Sequence, residues 1–222
     1  LGSSNFDGAI QSTAKVNASA GFSIVSYTGS GSTTTAGHGL GVAPVISIRK
    51  ARNATTDWFV HHTLVDSSMD FLRLNTTASN SNSSLSAFTS TVFPVDDNTN
   101  QYIIYCFSEV AGYSKFGSYT GNGNADGTFV FTGFRPVWVL IKNSSSGSTD
   151  WILKDATIET FNVVDAALKA NTSDAESSSL SSVDFLSNGF KIRNNGSFTN
   201  TNGNTYIYLA FAESPFKNAR AR

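Results

Sequence analysis

Tyr102-Ile103-Ile104-Tyr105-Cys106-Phe107-Ser108-Glu109 returns near the end of the chain as Tyr206-Ile207-Tyr208-Leu209-Ala210-Phe211-Ala212-Glu213. Both runs are aromatic and aliphatic, short, and bounded by Asn, Gly and Ser, so they read as β-strands. The likeness extends outward in the same order. Tyr27-Thr28-Gly29-Ser30-Gly31 matches Tyr119-Thr120-Gly121-Asn122-Gly123, the stretch from Gly41 to Lys50 matches that from Gly133 to Lys142, and Asp57-Trp58 matches Asp150-Trp151. Blocks in one order, with insertions only between them, indicate an internal duplication. Its period is far longer than the roughly 20–50 residues of solenoid repeats, so each copy reads as a small β unit of its own.

Strands are expected at 22–27, 44–50, 57–63, 70–75, 85–95 and 101–109 in the first copy. In the second they are expected at 113–119, 128–132, 136–142, 150–155, 183–193 and 205–213. Pro44 and Pro136 open their strands, where a missing N–H costs least. The fold class that follows is all-β: an antiparallel, jelly-roll-like β-sandwich built from two internal repeats. Residues 1–20 read as a linker or N-terminal arm, 21–112 as the first repeat, 113–216 as the second and 217–222 as a basic C-terminal tail. Phe161, Val164, Ala167 and Leu168 share one helical face, which predicts a short helix within 160–170. Leu1-Gly2-Ser3-Ser4 suggests a cut or processed chain.

Charged residues are only 14% of the 222, well below the usual quarter or so, while aromatics reach 12% with 17 Phe. The net charge of −1 lacks the basic footprint of nucleic-acid binding. No apolar stretch is long enough for a membrane-inserted helix. Cys106 is the single cysteine and sits in an apolar strand, which reads as a buried thiol.

His61-His62 lies near Asp57 and Asp66, yet neighbours on a strand point to opposite faces, so no metal site is expected. His38 in Gly37-His38-Gly39-Leu40-Gly41 reads as a loop residue, because no helix follows to turn these glycines into a phosphate cradle. No nucleophile elbow occurs, and Glu109 and Glu213 read as scaffold because both copies carry them; no catalytic residue and no cofactor are expected. Asp57-Trp58 and Asp150-Trp151 could stack on a sugar and bond its hydroxyls, but their duplication favours a structural role. The variable loops 51–56, 76–84, 96–100, 143–149 and 194–204 are rich in Asn, Ser, Thr and Gly and suit hydrogen bonding to a polar ligand such as a glycan. The ligand-binding candidates are Asn53, Asp57, Trp58, His61, Asn143, Asp150, Trp151 and Asn195.

Several blocks carry a resemblance. Gly21-Phe22-Ser23-Ile24-Val25-Ser26-Tyr27-Thr28-Gly29, Gly37-His38-Gly39-Leu40-Gly41-Val42-Ala43-Pro44, Ser114-Lys115-Phe116-Gly117-Ser118-Tyr119-Thr120-Gly121-Asn122-Gly123 and Ala210-Phe211-Ala212-Glu213-Ser214-Pro215-Phe216 resemble a C-terminal module of marine bacteriophage tail-fibre and other virion structural proteins. The resemblance spans residues 6–222 and transfers no binding motif. It implies a non-enzymatic component of the virion surface, outside the cell, that attaches to a host-surface glycan or protein and contacts other virion proteins. A homo-oligomer, with a trimer favoured, is the expected form. A purely structural capsid or tail decoration protein and a glycan-degrading receptor hydrolase are the alternatives.

Overall fold

The protein is described by a computed structural model, which covers residues 2–96 and 98–212. The basic tail at 217–222 and Glu213 therefore lie outside the described residues. The chain divides into two compact units, Leu1–Arg73 with Ser81–Val110 and Leu74–Asn80 with Ala111–Arg222.

In the first unit β1 (Ser3–Asn5), β2 (Ser12–Asn17), β3 (Phe22–Thr28), β4 (Thr34–Gly37), β5 (Ile46–Ala51), β6 (Phe59–His62), β7 (Asp70–Arg73), β8 (Ser81–Asn82), β9 (Val92–Val95) and β10 (Gln101–Phe107) follow in turn. One sheet has the order β1-β2-β3-β10-β5-β6-β7-β8, and β4 pairs with β9 in a second. Residues expected as a linker or arm thus enter the sheet, with β2 paired to β3 from Ser12↔Tyr27 to Asn17↔Phe22. Side-chain alternation turns Val25, Tyr27, Tyr102, Ile104 and Cys106 toward Ala36, Phe93 and Val95 of the small sheet, which closes the core.

The second unit holds β11 (Ser114–Thr120), β12 (Phe129–Phe131), β13 (Pro136–Asn143), β14 (Ile152–Asp155), β15 (Leu168–Lys169), β16 (Val183–Leu186), β17 (Gly189–Ile192) and β18 (Thr205–Ala212). Its sheets run β11-β18-β13-β14-β15 and β12-β17-β16. Tyr206, Tyr208, Val139 and Ile141 of one sheet pack on Val130, Phe185, Phe190 and Ile192 of the other. Among the described residues every pairing between these named strands is antiparallel, so the fold is the all-β sandwich that the alternation predicted. Among the described residues no helix is long and apolar enough to cross a membrane.

The units share register at the residues that the sequence aligns. Tyr27 faces Tyr102 with rings stacked 5.4 Å apart, and Tyr119 faces Tyr206 at 5.1 Å. Arg49 pairs with Ile104 and Phe59, while Ile141 pairs with Tyr208 and Ile152.

Two further expectations are corrected. The strand expected across 183–193 is a hairpin, β16 and β17 joined at Ser187-Asn188. Gly189 starts the return strand, where a Cβ would come within 2.1 Å of the Val130 carbonyl oxygen. The helix expected within 160–170 is absent. Val164 pairs instead with Val183 and Ala167 with Ser177, each through two backbone bonds. The carbonyls of Val164, Asp165 and Ala166, which a helix would use internally, accept from Lys154 Nζ. A helix this short is marginal in water, so these tertiary partners win over its periodicity.

Candidate functional site

On β5, Ser47, Arg49 and Ala51 share the face that looks into the first unit's core. Ser47 and Ala51 suit that place, but Arg49 brings a charge to it, only 7% exposed. Two rows cross the sheet there side by side: Arg49–Phe59–Arg73 and Ser47–His61–Phe71. The apolar core stops at Ile104 and Tyr102, and beyond it a cavity of about 450 Å³ opens. Phe59, Phe71 and Tyr102 give its walls aromatic faces, and Thr56, Asp57, Ser83, Asp96 and Asn98 give its mouth polar groups. The loops at 51–56, 76–84 and 96–100, expected to bind, supply several of these residues. A volume and lining of this kind suit a small polar ligand with one apolar face.

Its cations are held by rings. The Arg49 guanidinium lies over Phe59 at 5.5 Å and Tyr102 at 5.9 Å, and Arg73 lies over Phe71 at 5.1 Å and Phe59 at 5.7 Å. Phe59 and Phe71 meet edge to face at 5.7 Å. Arg73 Nε donates to Asp57 Oδ2 at 3.0 Å, and Arg49 Nη1 reaches Asp96 Oδ1 at 3.5 Å. His61 sits between Phe59 and Phe71, its ring 6.1 and 5.9 Å from theirs. Burial, then the Arg49 charge, then His62 push its pKa down to about 3, so it is neutral at physiological pH.

This titration predicts a pH effect. The unfolded chain takes up a proton at His61 near pH 6.5 and the folded chain only near 3, so His61 makes stability fall as pH drops through that window. Its share, on the order of 5 kcal/mol at the acid end, should be missing from His61→Gln. Urea unfolding at pH 7.5, 5.5 and 4 should therefore show a shallower loss in the variant than in the parent.

The second unit treats the equivalent positions differently. Ile141 stands where the first unit has Arg49, and Ile152 where it has Phe59. Lys154 takes the register position of His61 and is fully buried, its Nζ donating to the carbonyls of Val164 (3.3 Å), Asp165 (2.9 Å), Ala166 (3.1 Å) and Leu180 (2.5 Å). Burial lowers its pKa to about 8. That corner is thus closed by apolar side chains and a caged ammonium, whereas in the first unit it stays open.

The predicted residues part company accordingly. Asp57 and His61 line the cavity together. Asn53 is exposed and caps β10 by accepting from the Gln101 N–H at 2.9 Å, and Trp58 is half-buried. Trp151 and Asn143 present no surface at all. Asn143 accepts from the N–H groups of Ser145 and Ser146 and donates to Tyr206 Oη and the Ser197 carbonyl, so it pins its own loop. Asp150 is tied to Lys169 at 3.1 Å much as Asp57 is tied to Arg73. Asn195 is exposed on a loop by itself. The stretch 156–204 supplies β15 to β17 and the carbonyls around Lys154.

Other histidines are structural. His62 is fully buried, and its Nδ1 accepts from the Leu64 N–H at 3.3 Å. His38, though in a loop, is fully buried; its Nδ1 accepts from the Leu40 N–H and its Nε2 donates to the Thr89 carbonyl, each at 3.1 Å. Cys106 is buried beside Ser23, and burial pushes the thiol up to about 12. Among the described residues no three His, Cys, Asp or Glu gather as metal ligands. A recess of about 490 Å³ in the second unit, at Asp126, Asp165 and Arg193, has no aromatic wall, and its Asp126 is paired with Lys191 and Arg193.

Sequence reading missed Arg49, Phe59, Phe71 and Tyr102. A signal was available: Arg49 shares its strand face with Ser47 and Ala51, and the aligned position in the second unit is Ile141. No curated protein and no solved structure matches the chain. One family model matches residues 1–215, and the chain belongs to that family, described as a domain of unknown function, DUF7483.

Proposed function

We propose that the chain is a non-enzymatic saccharide-binding module of a virion surface protein, of the tail-fibre type, that takes a host-surface glycan in the cavity of its first unit. The observation that carries this reading is that the half-buried rings of Phe59 and Phe71 line one cavity together with the hydrogen-bonding groups of Thr56, Asp57, Asp96 and Asn98. A pyranose has an apolar C–H face and a rim of hydroxyls, and such a cavity offers a partner to each. The second unit's loops at 143–149 and 194–204 turn Asn143, Thr149, Thr199 and Asn200 inward, which supports a framework role there. Display of several copies, as on a trimeric fibre with other virion proteins, would multiply a weak single site by roughly 10²–10⁴.

Purified chain on an array of bacterial surface glycans tests this. Binding to a defined subset is expected, and Phe59→Ala should weaken it about tenfold, in line with an aromatic contact of about 1–1.5 kcal/mol. Phe161→Ala, on an exposed ring of the second unit, should leave it unchanged. Binding that is indifferent to Phe59 would overturn the assignment to this cavity.

A second reading has one observation in its favour: Asp57 and Asp96 line the same cavity, and two carboxylates are the working parts of a glycoside hydrolase. Each is engaged by an arginine, whereas hydrolysis needs one carboxyl group to hand over a proton. Reducing-sugar release from a bound glycan would favour the hydrolase; its absence with stable binding is the expected result.

A further inference from the structure

His61 is the polar group of the cavity that the fold itself does not satisfy. It is only 6% exposed and borders the cavity at its inner end, whereas Asp96 and Asn98 at the mouth are exposed. Among the described residues none makes a hydrogen bond to either ring nitrogen; its neighbours are the rings of Phe59 and Phe71. Opposite it in the sheet stands Ser47, whose hydroxyl is buried with no hydrogen-bond partner among the described residues. The second unit resolves the same position from within. There Lys154 faces Val139, and four backbone carbonyls take up its ammonium. His38, also buried, is met at both nitrogens by the Leu40 N–H and the Thr89 carbonyl. Leaving a buried polar group unmet is costly, and one that borders a cavity marks where a molecule from outside completes the site.

From this we infer that His61 is the specificity-determining residue of the saccharide site, and that its imidazole reads one free hydroxyl of a sugar ring placed against Phe59 and Phe71. The inference rests on the saccharide reading above and names what that site selects: a pyranose that keeps the inserted hydroxyl, over the same sugar without it. The ring stays neutral, because burial and then the Arg49 charge oppose its protonation. A neutral imidazole has one N–H donor and one nitrogen acceptor, and a hydroxyl also donates and accepts, so either tautomer finds its complement. A deoxy sugar would close over the imidazole and give it nothing, and a site built to bond a hydroxyl rejects the analogue lacking it for that reason. At the mouth Thr56, Asp57 and Asn98 meet other hydroxyls, but solvent replaces a missing one there at little loss. Selectivity therefore concentrates at the inner end.

The test is equilibrium titration of the whole chain with the methyl pyranosides of glucose, galactose, mannose and N-acetylglucosamine, each beside its monodeoxy analogues. At least one pyranoside should bind, and loss of one particular hydroxyl should weaken it tenfold or more, with smaller losses for the others. His61→Phe keeps a ring in place but no nitrogen, and should bind that pyranoside no better than its deoxy analogue. His61→Gln, which keeps a donor and an acceptor, should retain part of the preference. If His61→Phe fails to fold, the ring-nitrogen NMR signals of the parent chain's three histidines decide. Those of His61 should move with the hydroxylated form and stay in place with the deoxy form. Equal binding within every pair, or a preference unchanged in folded His61→Phe, overturns this inference and leaves the saccharide reading standing. So does retention of array glycans when no pyranoside binds, since the contact is made by a single ring. Binding of no pyranoside, with none on the wider array, overturns the saccharide reading and this inference with it.

Discussion

Replacing Lys154 by alanine is expected to lower the stability of the second unit by about 3–5 kcal/mol, as much as breaking a buried ion pair. The ammonium ties the carbonyls of Val164, Asp165, Ala166 and Leu180 to β14, and without it these acceptors face an interior with no donor. Lys154→Met separates hydrogen bonding from packing. It keeps much of the side chain's volume but donates nothing, so it should fall nearly as far as the alanine variant. Lys154→Arg keeps donors and should be milder. Urea unfolding followed by tryptophan fluorescence in a Trp58→Phe background reads the second unit, which holds the remaining Trp138 and Trp151. A Met variant as stable as the parent would mean that the cage contributes little.

Trp151→Ala is expected to cost about 3–5 kcal/mol, the usual range for emptying a fully enclosed aromatic site. Its side chain is wholly buried, and its backbone N–H donates to Asn171, which in turn holds Asp150. Trp58→Ala, at the aligned position in the first unit, should cost clearly less because that ring is half-buried. Thermal melts of the two variants check the contrast. Equal losses would mean that the two tryptophans serve their units alike.

How much of this was legible in the sequence depends on where each residue's partners lie. The strands around Tyr102, Tyr206, Ile46 and Val139 were legible because alternation and β-branched content act within one segment. The helix within 160–170 failed because its periodicity was real while its carbonyls had a stronger claimant, Lys154, in another strand. The hairpin of β16 and β17 was signalled by Asn188-Gly189, a turn dipeptide, although the apolar residues on both sides of it read as one strand. Asp57 and His61 were found as polar residues in a strand context. Arg49 was not, because it lay within the stretch Gly41 to Lys50, which reads as scaffold through its likeness to Gly133 to Lys142. Its distinction appears only when the register sets it opposite Phe59 and Tyr102 at a cavity. Asn143 and Trp151 were attractive as residue types, and their burial follows from loops that close over them, which no local pattern encodes.

The most direct test of the central claim is a crystal structure of the chain with the tightest-binding oligosaccharide of the array. The account predicts a sugar ring against Phe59 and Phe71, with Arg49, Asp57 or Asn98 within hydrogen-bond distance of its polar groups. A sugar bound at the second unit's loops, with the first unit's cavity empty, would contradict it.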